Sequence, residues 1–168
     1  MNMVVAPAAF ETLDNLPSPL TPFVGREAEV ASLCSLLRQD GVRLVTLTGP
    51  GGIGKTRLAL RVANDLRHDF GDGVRFISLA AVTDPALLPV TIADVLGVRE
   101  ESHRPALTAL TDALRERHQL LVLDSLERLV DGAGVITDLL TACTGLKVLA
   151  TSRSRLRLRG EHELSVPR

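Results

Sequence analysis

Apolar residues follow two different spacings along this chain, and these spacings predict a succession of helices and strands. After Glu27 and again after Ala59 they recur three and four residues apart, as on one face of an amphipathic helix. Short aliphatic and β-branched runs lie between these stretches, which is typical of strands buried in a sheet. We predict helices near residues 27–40, 59–66, 89–96, 105–117 and 135–142, and strands at 43–48, 74–79, 119–124 and 147–151.

The order of these elements predicts the fold class. Strands and helices alternate, and parallel strands joined by crossover helices are the natural solution for such an order. The run Gln119 to Asp124 is apolar on both faces, as expected of a central strand covered by helices. We therefore predict a three-layer α/β/α fold with a mostly parallel sheet.

The first 22 residues differ in composition from the remainder. They contain four of the nine prolines, and Pro17 and Pro19 disfavour both helix and sheet pairing. We predict a flexible leader at residues 1–22 and one folded domain at residues 23–168.

Composition excludes several classes of function. The chain has no Trp or Tyr and only four Phe, which leaves almost nothing on which the bases of a single strand could stack. Its formal net charge is −1, so no overall field attracts polyanions, and we expect no direct nucleic-acid binding. No apolar run is long enough to span a membrane, and no basic residue precedes Arg26 to form a secretory signal. We expect a cytoplasmic protein without a membrane partner.

The strongest motif is the segment Gly49 to Thr56, with the sequence GPGGIGKT, which matches GxxxxGK[ST] between a predicted strand and a predicted helix. Glycines let backbone N–H groups approach phosphate oxygens, and the start of the following helix adds its positive dipole end. Lys55 supplies a charge to the phosphates, and the Thr56 hydroxyl is a magnesium ligand. The motif predicts a site for a nucleoside triphosphate or diphosphate on a P-loop NTPase core.

Two acidic residues are candidates for the magnesium site and for hydrolysis. Asp124 ends the central predicted strand, where ligands of open α/β sheets gather, and it is the second candidate metal ligand besides Thr56. Glu127 follows three residues later and is the candidate base that activates water. An exposed carboxylate near a helix start is the alternative for Glu127.

Arginines follow the next predicted strand. Arg153 stands at its end, where a guanidinium could reach a terminal phosphate. Arg155, Arg157 and Arg159 then alternate with Ser154, Leu156 and Leu158, the pattern of a half-buried strand with one cationic side. We predict an edge strand that its charges keep soluble, with a nucleic-acid surface as the less favoured alternative.

These motifs together resemble the NB-ARC-like nucleotide-binding domain of STAND-class P-loop NTPases, found in large bacterial LuxR-type and related transcriptional regulators. The segment Phe23 to Glu29 resembles the hxGRExE segment of that family, which lies beside the adenine and ribose. The segment Gly49 to Thr56 is the Walker A motif, Asp124 and Glu127 match Walker B, and Thr151 to Arg153 resembles sensor 1. The resemblance covers residues 23–167.

The resemblance implies a regulatory domain that binds ATP or ADP with Mg²⁺. Candidate catalytic residues are Asp124, Glu127 and Arg153. The candidate nucleotide-binding residues are Gly25, Arg26, Gly49, Gly51, Gly52, Ile53, Gly54, Lys55, Thr56 and Arg57. Because phosphate-binding loops do not read bases, the preference for adenine rests on the resemblance alone, and GTP stays open.

Two departures from the family pattern change the expectation. Ser125 stands where the family commonly has Asp or Asn, which predicts slow or absent hydrolysis. Relatives continue beyond the position of Arg168 into a helical lid and DNA-binding parts, so we expect a domain that lacks these and acts with a protein partner or with further domains. A self-sufficient ATPase or kinase, and an interaction protein without nucleotide, are the alternatives.

Overall fold

A computed structural model describes residues 15–18, 21–99 and 103–168. Within these residues five strands form one sheet in the order β2-β3-β4-β1-β5, and every neighbouring pair is parallel. The strands are β1 (Leu44–Thr48), β2 (Val74–Ser78), β3 (Gln119–Asp124), β4 (Leu146–Ser152) and β5 (Glu161–Ser165). The helices are α1 (Glu27–Arg38), α2 (Lys55–Leu66), α3 (Leu88–Leu96), α4 (Ala106–Leu114) and α5 (Gly134–Ala142).

The α/β fold predicted from the sequence is confirmed, with a sheet that is parallel throughout. The four predicted strands are present with their ends within one residue of the expected positions. Gln119–Asp124 is buried along its whole length, because it lies between β2 and β4 and has helices on both faces. The predicted helix at 105–117 is shorter than expected and ends at Leu114.

Helices cover both faces of the sheet and divide the core in two. One apolar cluster joins α1 and α2 to one face, with Leu33, Leu58 and Val62 at its centre. The other cluster joins α3, α4 and α5 to the opposite face, around Ile92 and Leu110. Because all five strands are parallel, their carboxyl ends lie along one side of the sheet, which we call the carboxyl edge. Their first residues lie along the opposite side, which we call the amino edge.

The entry to α3 follows the helix-start signals of the sequence. The Asp84 carboxylate accepts a hydrogen bond of 2.9 Å from the backbone N–H of Ala86 and caps a short 3-10 turn, Pro85–Leu87. The α-helix then begins at Leu88, with Pro89 in its first turn, where a missing N–H costs nothing.

The predicted edge strand at residues 153–159 is wrong. The edge strand on this side of the sheet is instead β5, which pairs with β1 from Leu44 opposite Glu161 to Thr48 opposite Ser165. Thr46 and Thr48 fix this pairing, because their hydroxyls donate to Glu161 (2.7 Å) and Glu163 (2.8 Å). We call residues 153–160, which connect β4 to β5, the arginine arm.

Two cations hold helix ends at the amino edge of the sheet. Lys147 of β4 is 8% exposed, and its Nζ donates to the carbonyls of Leu37 (2.6 Å) and Gln39 (2.7 Å) at the end of α1. Arg43 donates to three carbonyls at and after the end of α5, those of Leu140 (3.0 Å), Cys143 (2.6 Å) and Leu146 (2.7 Å). Burial lowers the pKa of both groups, and the carbonyls compensate part of the desolvation.

Part of the predicted leader lies against the folded domain. The Asn15 side chain pairs with both backbone groups of Phe76 on β2, at 2.6 and 2.8 Å, as a strand residue would. Residues 1–14, 19 and 20 of the predicted leader lie outside the described residues. Among the residues described here, none of the helices is long and apolar enough to cross a membrane.

Candidate nucleotide-binding site

The connection between β1 and α2, residues 49–54, is an open loop that we call the glycine loop. Gly49, Gly52 and Gly54 have positive φ angles of 149°, 79° and 90°, which a side chain would disfavour. At Gly49 a Cβ atom would also lie 2.3 Å from the Ile53 side chain. Nothing lies within 4 Å of the corresponding positions at Gly52 and Gly54, so the loop curls around open space.

Lys55 opens α2 and turns back onto the glycine loop. Its Nζ donates to the carbonyl oxygens of Gly49 (2.7 Å) and Pro50 (2.8 Å), and the side chain is half-buried. The first turn of α2 carries no acidic residue, so nothing on the helix itself neutralises its positive dipole end. An ammonium group and free helix N–H groups thus converge on one small volume, an arrangement that favours an anion.

Asp124 lies beneath this volume at the end of β3. Two hydroxyls donate to its Oδ1 atom, that of Thr56 at 2.7 Å and that of Thr151 at 2.6 Å. The carboxylate is 7% exposed, because β3 is the buried strand and its end is covered by the start of α2. Thr56 and Asp124, the two predicted metal ligands, are therefore in direct contact, and hydroxyl and carboxylate oxygens are donors that Mg²⁺ prefers.

The backbone after Asp124 is strained. Ser125 has a φ angle of 69°, which is uncommon for a residue other than glycine. Its N–H donates to the Thr151 hydroxyl (2.9 Å), and its own hydroxyl lies 3.4 Å from Asp124 Oδ2. Strain of this kind persists only where the surroundings fix it, and here the hydrogen bond from the Ser125 N–H to Thr151 holds the backbone in place.

Most of the predicted site residues line a cavity of about 370 Å³. Its lining comprises Gly51, Gly52, Gly54, Lys55, Thr56, Arg57, Ser125, Glu127, Thr151 and Arg153. Glu127 and Arg153, the candidate base and phosphate contact, thus face the same space as Lys55. A second polar cavity, of about 530 Å³, shares Ser125, Glu127 and Arg153 with the first and reaches the end of β2.

The segment of Gly25 and Arg26 is tied to the glycine loop from outside. Both residues have positive φ angles, 91° and 60°, so the chain turns sharply before α1. Arg26 donates to the carbonyls of Ile53 (3.2 Å) and Pro167 (2.8 Å). Gly25, Arg26, Gly49 and Ile53 therefore shape the loop without lining the 370 Å³ cavity.

Arg57 faces two ways. It lines the cavity, but its Nη2 atom donates to Thr21 and to the carbonyl of Pro22, and its guanidinium lies over the Phe23 ring at 5.9 Å. It therefore joins the residues before α1 to the helix that carries Lys55 and Thr56.

Reasoning from the sequence missed two contacts of this site. The Thr151 hydroxyl holds both Asp124 and Ser125, whereas the sequence only placed Thr151 within a motif. The strain at Ser125 was not expected either. The pairing of Leu123 with Ala150 places Asp124 beside Thr151, so a correct alignment of β3 with β4 would have revealed the first contact.

Chemically, this arrangement can bind an oligophosphate with one divalent cation. Backbone N–H groups, Lys55 and Arg153 supply positive charge, and Thr56 with Asp124 supplies oxygen ligands. Of the described residues that line the cavity, Glu127 is the one with a carboxylate.

Comparison with curated proteins identifies relatives of this chain. It is 40% identical over 149 residues to an uncharacterised protein of Mycobacterium tuberculosis, covering 88% of this chain and 37% of that protein. It is 39% identical over 134 residues to a putative HTH-type transcriptional regulator of the same organism, covering 79% of this chain and 15% of the relative. The regulatory protein AfsR of Streptomyces griseus is 35% identical over 158 residues, covering 88% of this chain and 16% of AfsR. The chain thus spans little more than a third, or less, of the length of these relatives.

Solved structures share the fold. A STAND protein with a tetratricopeptide repeat sensor from Pyrococcus horikoshii matches with a TM-score of 0.61 and 17% identity, over 90% of this chain and 24% of that one. Drosophila ORC bound to DNA matches with a TM-score of 0.67 and 18% identity, over 98% of this chain and 50% of that one. The AAA ATPase domain family matches residues 22–158. Since that match covers most of the sequence, and the relatives include transcriptional regulators as the resemblance predicted, this chain belongs to the AAA ATPase domain family of P-loop NTPases.

Proposed function

We propose that this chain is a regulatory nucleotide-binding domain that takes ATP or ADP with Mg²⁺ in the 370 Å³ cavity and turns nucleotide over slowly or not at all. The observation that carries the proposal is the pair of hydrogen bonds from Lys55 to the carbonyls of the glycine loop. These bonds hold the ammonium group at the loop, and phosphate oxygens are stronger acceptors that can replace the carbonyls. Gly49 to Thr56 then acts as a Walker A motif.

Thr56 and Asp124 would hold the magnesium ion. Their oxygens already lie 2.7 Å apart, so both would reach one cation after the Thr56 hydroxyl hydrogen turns away from Asp124, with little movement of either side chain. The ion would neutralise phosphate charge and polarise the terminal phosphoryl group. Arg153 and Glu127 line the same cavity, Arg153 to contact the terminal phosphate and Glu127 to orient water.

Slow hydrolysis follows from the residue after Asp124. Ser125 supplies a hydroxyl where a carboxylate or amide could hold a water molecule, and Glu127 must act from two residues further along. We therefore assign nucleotide binding, rather than turnover, as the task of the domain.

The regulatory role is supported by the names of the relatives and by their length. Two relatives are named as regulators, and the matched part is 15–16% of each. We propose that the domain works within, or together with, a larger cytoplasmic regulator, whose other parts sense the signal and act on transcription.

A thermal-shift comparison of ATP, ADP and GTP, each with and without Mg²⁺, tests the proposal on this chain. At a ligand concentration of about 100 times Kd, binding stabilises the fold by about 2.7 kcal/mol, which raises Tm by about 5–10 °C in a domain of this size. A larger shift with the adenine nucleotides supports the assignment of ATP and ADP. Normal folding with no shift for any nucleotide would make the chain an interaction protein instead.

Steady-state phosphate release distinguishes the remaining alternative. The proposal expects turnover below about 1 per second, the lower end of ordinary enzyme rates. Turnover well above that value would favour a self-sufficient ATPase.

A further inference from the structure

The arginine arm exposes cations on one side and buries apolar residues on the other. Arg155, Arg157 and Arg159 are exposed, whereas Leu156 is 3% exposed and Leu158 is half-buried against the core cluster of α3, α4 and α5. The alternation that the sequence suggested is therefore present, but without strand pairing.

The shape of the arm is fixed by one carboxylate. Glu161 accepts hydrogen bonds from the backbone N–H groups of Leu156 (2.7 Å) and Arg157 (3.0 Å), and from the Thr46 hydroxyl. Arg157 has a φ angle of 59°, which turns the chain at the middle of the arm. Glu161 is thus bonded to neutral donors, and among the described residues it forms no ion pair with the three arginines.

Four of the other exposed arginines of the described chain have acidic partners. Arg38, Arg61, Arg104 and Arg115 each form an ion pair with an aspartate. Over residues 21–99 and 103–168, by contrast, no ion pair or hydrogen bond is formed by the guanidinium groups of Arg155, Arg157 and Arg159. Three arginines within five residues are therefore exposed without an ion pair among the described residues, on a chain whose formal net charge is −1.

The explanation predicted from the sequence does not account for these charges. Charged side chains protect an edge strand from pairing with another chain. The arm has no strand ladder and hence no open edge to protect, while the edge strand that follows it, β5, carries Glu161, His162 and Glu163.

We propose that the arginine arm contacts the phosphodiester backbone of a nucleic-acid duplex, without reading its sequence. Guanidinium groups suit phosphate oxygens, and contacts of this kind supply the affinity of non-specific binding. An acidic protein partner is less well suited, because protein interfaces need apolar or aromatic anchors and the arm turns its leucines inward. A single strand is also less well suited, because its bases need aromatic side chains on which to stack.

This proposal reverses the expectation from the sequence that the chain makes no contact with nucleic acid. That expectation rested on the net charge of the whole chain and on the lack of aromatic residues. A short duplex senses the local charge within about 10 Å rather than the net charge of the molecule, and backbone contacts need no aromatic residue.

Fluorescence anisotropy with a labelled 20-base-pair duplex, titrated at several salt concentrations, tests the proposal. Three phosphate contacts predict a slope of log K against log salt of about −2.7. The variant Arg155→Gln/Arg159→Gln should reduce the slope to about −1. The variant leaves Arg157 unchanged, because a substitution at its positive φ angle could change the shape of the arm. Duplexes of unrelated sequence should bind with equal affinity.

The variant Arg38→Gln/Arg61→Gln is the matched control, since it removes the same charge from two ion-paired arginines. It should keep the parental slope, and Arg155→Lys/Arg159→Lys should restore most of it. The thermal shift with nucleotide should be the same in all four proteins, because none of these residues lines the 370 Å³ cavity.

Three results would overturn the proposal. One is no duplex binding by the parent at 50 mM salt, and another is an equal loss in the arm variant and the control. The third is arm-dependent binding of polyglutamate that exceeds duplex binding at equal charge, which would assign the arm to an acidic protein. A missing nucleotide shift with intact duplex binding would count against the proposed function only.

Discussion

The two edges of the sheet use a lysine in the same way and with opposite consequences. At the amino edge, Lys147 donates to two carbonyls at the end of α1, and at the carboxyl edge, Lys55 donates to two carbonyls of the glycine loop. The hydrogen bonds of the two ammonium groups are all 2.6–2.8 Å long. Their surroundings differ, because Lys147 is 8% exposed whereas Lys55 is half-buried beside a cavity.

This difference shows that burial, rather than the hydrogen bonds themselves, separates a structural cation from one that can bind a ligand. If Lys147 left its carbonyls, its own buried ammonium group and the carbonyl of the buried Leu37 would lose their hydrogen-bond partners. In the proposed function, Lys55 exchanges its carbonyls for phosphate oxygens, because its side chain lines an open cavity. We therefore expect substitutions at the amino edge to change stability and substitutions at the carboxyl edge to change binding.

The largest effect is expected from Lys147→Met. The substitution keeps most of the side-chain volume but leaves the carbonyls of Leu37 and Gln39 without their donor, so the free energy of unfolding should fall by about 2–4 kcal/mol. Chemical denaturation measures this change. Nucleotide affinity of the folded protein should stay the same, and a loss of affinity equal to that of a site variant would contradict the division between the two edges.

Lys55→Met is the counterpart at the carboxyl edge. Charge-assisted hydrogen bonds contribute about 1.5–3 kcal/mol, so ATP affinity should fall by roughly 10- to 100-fold. The free energy of unfolding should change by less than about 1 kcal/mol, because the side chain is only half-buried. Calorimetric titration measures the affinity, and binding of ATP as tight as in the parent would remove Lys55 from the site.

Asp124→Asn separates the metal from the phosphates. Asparagine keeps an oxygen to accept from Thr56 and Thr151, but it removes the charge that would hold Mg²⁺. The apparent Mg²⁺ affinity of the ATP complex should fall by about tenfold or more, while metal-free binding of ATP is largely kept. Titration of ATP with and without Mg²⁺ measures both quantities, and an unchanged magnesium response would exclude Asp124 as a ligand.

The smallest effect is expected at Cys143, a fully buried thiol beside Arg43 at the amino edge. Burial raises the pKa of this thiol above its usual value of 9.0, so the folded chain keeps it protonated at a pH where the unfolded chain ionises. Its contribution to stability is complete below pH 9 and is lost as the pH rises toward the folded pKa. Between pH 8 and pH 10 the parent should lose more of its free energy of unfolding than Cys143→Ala does. Parallel curves for the two proteins would contradict this assignment.

The sequence predicts best what short-range patterns decide. The glycine loop and β3 are found at the expected residues, because the GxxxxGK[ST] spacing and the unbroken apolar run are local signals. The contacts at the amino edge could not be predicted, since Lys147 reaches Leu37 over 110 positions of the chain. The one available signal for these contacts was the position of Lys147 among the apolar residues at the start of β4.

The prediction of the edge strand beside β1 was wrong for the same reason, which is that contacts distant in sequence decide it. Glu161–Ser165 has few strand-forming residues, and its pairing comes from β1 and from the hydroxyls of Thr46 and Thr48. The arginine segment before it has the better alternation, but Arg157 with its positive φ angle prevents a continuous ladder. Pairing with β1, which is distant in sequence, thus decided which of the two adjacent segments, residues 153–159 or residues 161–165, forms the strand.

The positions of the two lysines also determine how this chain would respond to amine-reactive reagents. Lys55 and Lys147 are the only lysines in the 168 residues, and Lys147 is enclosed at the end of α1. Acylation of the native protein with a small ester should therefore modify a single side-chain amine, that of Lys55. Mass spectrometry of the labelled chain would then report directly whether that amine is covered.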